Sequence, residues 1–236
     1  MAREKVFRFK QFGVLNDKTA MKVGTDGVLL GAWCDVAGAK RVLDVGTGSG
    51  VVALMIAERN RDAIINAIDI DEDAVVEAKV NFYNSPWAER LTAKHADFNN
   101  LTADASYDLI VSNPPFFTNG VLPPDESRNL ARHCYSLSFQ ELITHGKSLM
   151  SPAGRLAIIT PVEAELPIRQ CVVANGMGIK RQTRVVPVEN AEPKRFLWEL
   201  VNGDSATVHD TITIQNANRD YTQQYINLTH DFYLKM

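Results

Sequence analysis

Two short stretches hold the residues best suited to chemistry. The first is the tetrad Asn113-Pro114-Pro115-Phe116. Consecutive prolines cannot continue a helix or a central strand, and a residue before proline is pushed into an extended conformation. Asn113 is therefore held stiffly, so that its side-chain amide oxygen, the backbone carbonyl of Pro114 and the ring of Phe116 are presented together. Two acceptors and a stacking plate suit a planar amino group on a base. The competing reading is a structural Pro-Pro turn. The second stretch is Asp44-Val45-Gly46-Thr47-Gly48-Ser49-Gly50. Its glycines allow backbone N–H groups to approach a ligand closely where a helix begins. The spacing is G-x-G-x-G, and Val51 stands where the dinucleotide fingerprint would have its third glycine.

Asp44 would gain nothing from a pyrophosphate. It suits S-adenosylmethionine, whose aminoacyl end is cationic at its amine; a purely structural turn is the alternative. Asp69 lies 19 residues beyond Gly50, where a strand-end carboxylate can accept from both ribose hydroxyls, or else is a surface acid at a helix start. The same geometry one strand later puts Asp97 near the exocyclic amine of an adenine ring, with Ile70 and Phe98 as apolar walls. Upstream, Thr25 or Asp26 is expected to cap a short helix among the dense glycines Gly24, Gly27 and Gly31. A helix start of this kind can seat a carboxylate, which adds Thr25 to Gly46 and Gly48 as cofactor-binding residues.

These side chains need a scaffold, and the pattern from Arg41 onward alternates strand and helix. The strands read at 41–43, 63–68, 91–95, 107–112 and 155–159. Helices are read after the glycine loop, after an Asp71 N-cap, and after the capping box Ser138-Phe139-Gln140-Glu141. A further helix is read from Thr160-Pro161, with Pro167 as a kink or a delayed start. The runs 181–188 and 196–201 read as an antiparallel pair, and 211–214 as a last short strand. In the tail, Tyr221, Tyr225, Leu228, Phe232 and Tyr233 recur at near-helical spacing and read as core packing. The tetrad thus stands at the carboxyl end of the fourth strand, the edge where open α/β sheets bind ligands.

The chain has 236 residues, 45% of them hydrophobic, and a net charge of −3. A single domain over residues 1–236 is expected, with residues 1–40 as an N-terminal strand/helix extension. No apolar run is long enough for a membrane span and no signal pattern is evident. Cys34, Cys134 and Cys171 form no metal-type pair, and His133 beside Cys134 lacks further ligands nearby. No metal is expected, and the compartment reads as reduced and cytoplasmic. Net charge gives no reason to expect nucleic acid, but cations cluster locally. Arg3, Lys5 and Arg8 lie in an arm read as an edge strand, and Arg128 and Arg132 in a long loop over 117–137. Contact with RNA phosphates and a merely solvated face both fit them.

Taken in order, the glycine loop, the acids after the second and third strands, and the Asn-Pro-Pro-aromatic tetrad resemble class I S-adenosylmethionine-dependent methyltransferases over about residues 20–202. The likeness extends to the stretch Met21-Lys22-Val23-Gly24-Thr25-Asp26-Gly27-Val28-Leu29-Leu30-Gly31-Ala32-Trp33, to Arg132-His133 and to the ending Asp231-Phe232-Tyr233-Leu234-Lys235. In these the chain is similar to one bacterial family, the tRNA1(Val) adenine-N6 methyltransferases, which modify the adenosine 3′ of the anticodon. The resemblance implies a Rossmann-like α/β fold: an open, mostly parallel seven-stranded sheet with an antiparallel last strand pair and helices on both faces. It also implies catalysis at Asn113, Pro114 and Phe116 and tRNA as substrate; a monomer is expected. Phe116 departs from the commoner tyrosine, keeping the stacking face without the hydroxyl. Rival readings are the same chemistry on rRNA or DNA adenine or on a protein glutamine, a silent cofactor-binding module, and an NAD-dependent oxidoreductase, which would have no use for the tetrad.

Overall fold

The computed structural model describes residues 6–17, 19, 22–102, 104–114 and 137–235. A hairpin of β1 (Val6–Arg8) and β2 (Gly13–Leu15) comes first. Then follow α1 (Thr25–Trp33), β3 (Arg41–Val45), α2 (Val51–Arg59), β4 (Ile64–Asp69) and α3 (Glu72–Tyr83). Next come β5 (Leu91–His95), β6 (Tyr107–Ser112), α4 (Phe139–Leu149), β7 (Met150–Pro161) and α5 (Glu165–Ala174). The chain continues through β8 (Met177–Val188), β9 (Arg195–Asn202), β10 (Val208–Gln215) and α6 (Gln223–Thr229).

Strands β3 to β10 form one sheet in the order β10-β8-β9-β7-β6-β3-β4-β5. Strand β9 runs antiparallel to both its neighbours, and every other pairing is parallel. The α/β class and the antiparallel pair agree with the sequence reading. Among the described residues the sheet has eight strands rather than seven, because the 211–214 run extends to Val208–Gln215 and pairs with β8 at the edge. Only Ile212 of that strand is buried, so its sequence carries little apolar alternation.

Central strands are buried on both faces and alternate between two cores. Val42 joins one with α1, α2 and α3, while Leu43 joins the other with α4 and α5. Local chemistry sets the helix boundaries. Asp71 accepts from Asp73 N at 3.0 Å as the N-cap of α3, and Ser138 with Glu141 closes the capping box of α4. Arg59 in the last turn of α2 donates to the carbonyls of Gly31 and Cys34 at 2.8 and 2.7 Å, satisfying the open end of α1.

Three local readings are corrected. The helix expected from Thr160-Pro161 begins at Glu165, because β7 runs on to Pro161 in register with Arg195 of β9. Pro167 then sits in the first turn, where its missing N–H costs no hydrogen bond. The arm read as an edge strand is a separate hairpin. Its apolar residues Phe9 and Phe12 stack at 4.6 Å and are buried with Phe232 of the tail. Helix α1 takes no side-chain cap: Gly24 is its N-cap, and Asp26 instead meets Arg195 Nε at 2.8 Å.

Candidate active site

Strands β3 and β4 end side by side, and the glycine loop leaves from that point. Gly46 N and Thr47 N both donate to Ile68 O, at 2.9 and 3.0 Å. Gly46, Gly48 and Gly50 have φ of 68°, 55° and 83°, a region that only glycine enters at little cost. A Cβ at Gly46 or Gly48 would meet nothing within 4 Å, whereas one at Gly50 would lie 2.5 Å from the Phe82 ring. The first two glycines thus face open space above the loop, while the third closes down on α3.

Two carboxylates stand at this strand edge. Asp44 is 1% exposed and accepts from Thr47 Oγ1 at 2.6 Å. Burial pushes its carboxyl up to about 7, against hydrogen bonds from Thr47 and Ala53, and the neighbouring charge of Asp69 adds to the rise. Asp69 accepts from Gly48 N at 2.8 Å and Asp71 N at 2.9 Å, and burial raises its carboxyl too. The loop is an anionic, weakly solvated place that favours a bound cation and hydroxyl donors.

Asp97 ends the next strand connection. It accepts from Asn99 N at 3.0 Å and Asn100 Nδ2 at 2.8 Å. Phe98 is buried in the α4 and α5 core, 5.0 Å edge-on from the His145 ring. Ile70 is half-buried, its carbonyl 2.9 Å from His95 Nε2.

Ser112 pairs with Val45 across β6 and β3, and its hydroxyl donates to Val45 O at 2.8 Å. Asn113 therefore leaves the sheet beside Gly46. Its Oδ1 is buried and has no hydrogen-bond partner among the described residues, a state that costs about 1–3 kcal/mol and calls for an explanation. The start of α1 lies close by, since a Cβ on Gly27 would sit 3.8 Å from Asn113 Nδ2 and 3.3 Å from Val51 Cγ1. At Gly31 the Cβ would be 2.8 Å from Met55 Sδ, so the glycines of this stretch let α1 cross α2 at close range. Thr25, in the first turn, is exposed. Pro114 is buried, and Arg8 is exposed on the hairpin. Pro115, Phe116, Arg3, Lys5, Arg128 and Arg132 lie outside the described residues.

Sequence reasoning passed over Glu77, Asn81 and Phe82 of α3. Phe82 fills the space at Gly50, and Asn81 Nδ2 donates to Ser49 O at 2.8 Å. The available signal was two polar residues four apart on the helix face that also carries Ala74 and Ala78.

Residues 21–174 match the family model described as the methyltransferase small domain. The chain is 41% identical over 230 residues to the tRNA1(Val) (adenine(37)-N6)-methyltransferase of Phocaeicola vulgatus, covering 98% of each chain. It is 44% identical to the protein of that name from Aliivibrio fischeri, over 98% of this chain and 99% of the relative. Among solved structures, a predicted O-methyltransferase from Agrobacterium tumefaciens superposes with a TM-score of 0.68 at 17% identity, over 88% of this chain and 96% of that one. A ribosomal protein L11 methylase from Lactobacillus delbrueckii gives 0.54 at 18% identity, over 75% and 77%. These two share the fold while their names differ in the methyl acceptor, so the scaffold does not by itself choose the substrate.

Proposed function

This chain belongs to the tRNA1(Val) (adenine(37)-N6)-methyltransferase family, and from that premise we propose that it methylates the exocyclic N6 of an adenosine in tRNA, that of the adenosine 3′ of the anticodon in tRNA1(Val). It acts as a cytoplasmic monomer. The observation that carries the reading is the buried Asn113 Oδ1, without a partner among the described residues, at the carboxyl end of β6 beside the glycine loop and the start of α1.

When bound, S-adenosylmethionine supplies an electrophilic methyl group on a sulfonium. The residues present fit that cofactor. Open space over Gly46 and Gly48 admits a ligand against the backbone, and Asp44 attracts its ammonium. Asp69 accepts from the ribose hydroxyls with the lone pairs that Gly48 and Asp71 leave free. Asp97 would take the adenine amino group, Ile70 and Phe98 would flank its ring, and Thr25 would meet the carboxylate at the start of α1.

The acceptor amine is a poor nucleophile because its lone pair is delocalised into the ring. Asn113 Oδ1 and the Pro114 carbonyl accept its two hydrogens. Those hydrogen bonds strengthen as the nitrogen pyramidalises, so they favour the transition state over the ground state. Phe116 holds the base plane by stacking, worth about 1–3 kcal/mol. Orientation of the amine toward the methyl supplies the rest, and the proton that the methylated nitrogen must lose passes to water. The target base leaves its stack to reach the site, at a cost of a few kcal/mol, which phosphate contacts from Arg3, Lys5, Arg8, Arg128 and Arg132 offset. Nucleoside mass spectrometry of tRNA1(Val), from cells with and without the protein, tests the function. An unchanged N6-methyladenosine content would overturn it.

Asp69→Ala is expected to weaken cofactor binding by about 1.5–3 kcal/mol, the scale of hydrogen bonds to a charged group. Titration calorimetry with S-adenosylhomocysteine reads the change, and parent-like affinity would reduce Asp69 to a brace for Gly48. For the RNA, affinity is expected to fall with salt at a log–log slope of about −0.7 to −0.9 per phosphate contact. Arg8→Ala should lower that slope by roughly one contact. An unaltered slope would leave Arg8 as a solvated surface charge.

A further inference from the structure

Helix α3 buries two polar side chains, Glu77 and Asn81, at 1% and 2% exposure. Polar groups on a buried face are retained only where partners offset their desolvation. Both have them in backbone that is distant in sequence. Asn81 Oδ1 accepts from Leu15 N at 2.7 Å, and its Nδ2 donates to Leu15 O at 2.9 Å. That same Nδ2 donates to Ser49 O in the glycine loop at 2.8 Å. One turn earlier, Glu77 accepts from Asp17 N at 2.7 Å and Thr19 N at 2.9 Å. Lys22 Nζ closes the segment from within, donating to the carbonyls of Asn16, Asp17 and Thr19 at 3.0, 3.0 and 3.1 Å.

The residues so held, Leu15, Asp17 and Thr19, precede in the chain Gly24 and the start of α1, which abuts Asn113. The first of them, Leu15, is tied through one amide to Ser49. We propose that Glu77 and Asn81 form a buried clasp that positions the glycine loop and the lead-in to α1 together, so that the cofactor side and the acceptor side of the site move as one. They are positioning residues for methyl transfer, acting through backbone they hold. The proposal rests on the reading that the glycine loop binds S-adenosylmethionine.

The test uses the full chain and S-adenosylhomocysteine, with calorimetry, thermal unfolding and backbone hydrogen exchange read on peptides from residues 13–19. In the parent the ligand is expected to slow exchange there, although the clasped amides of Leu15, Asp17 and Thr19 belong to the lead-in and not to the glycine loop. Asn81→Ala should bind about tenfold more weakly and lose that added protection even at ligand saturation. Glu77→Gln turns an amide donor toward one of the two N–H groups that the carboxylate holds and serves as the second variant if Asn81→Ala does not fold. It should lose protection at residues 17–19. A lower melting temperature with parent-like affinity and intact ligand-induced protection would make the pair merely structural and overturn the clasp. A parent that fails to bind the ligand at all would overturn the cofactor reading itself, and the clasp with it.

Discussion

Asn113→Ala is expected to slow single-turnover methylation of a tRNA anticodon stem-loop by about 10²-fold or more, the scale for losing one preorganised transition-state partner. Cofactor affinity should stay close to the parent's, because among the described residues the amide oxygen has no partner whose loss would disturb the glycine loop. Asn113→Asp keeps an acceptor but adds a charge that must be desolvated beside the start of α1, so its defect should fall between the two. Measurements at saturating cofactor and RNA separate this from weak binding. If the alanine variant methylates adenine as fast as the parent, the buried oxygen does not serve the amine.

Asp44→Asn is expected to move binding and stability in opposite directions. The substitution removes the negative charge that faces the cofactor's amine, so affinity should fall by about 10- to 100-fold, as for hydrogen bonds to charged groups. Ligand-free stability should rise. The folded carboxyl titrates at about 7 against an ordinary 3.8, chiefly because it is buried. Its contribution to stability is therefore fully present below about pH 4 and is lost as pH rises through about 7. The variant escapes that loss, which is on the order of 4 kcal/mol at most, since each tenfold change in proton affinity is worth about 1.4 kcal/mol. Urea unfolding at pH 5 and pH 8 reads it: the parent should weaken between the two far more than the variant. Equal pH dependence would mean that Asp44 is not held out of water as its burial indicates. The price of the anionic site is thus a less stable empty protein.

Much of this molecule was legible in the chain. Helix caps at Asp71 and Ser138 depend on residues two or three apart, and the positive φ angles of Gly46, Gly48 and Gly50 depend on the absence of a Cβ. Local sterics and local hydrogen bonds decide both. The strand–helix alternation and the order of the glycine loop, the acids and the Asn-Pro-Pro motif were likewise readable, and they carry the family. The boundary of α5 differs from the sequence reading because register with β9 carries β7 to Pro161, the proline read as the start of a helix. Strand β10 was underestimated because an edge strand buries too little to alternate clearly.

Only the tertiary structure decided which of the polar residues meet. Asn81 and Leu15 are 66 residues apart, Asp26 and Arg195 169. The close approach of Gly27 to Asn113 depends on α1 crossing α2 and on β6 lying beside β3. No spacing along the chain encodes such pairs. Each exists because burying the apolar faces of helices and strands brings remote backbone together, and a polar group trapped there must take whatever partner the packing supplies.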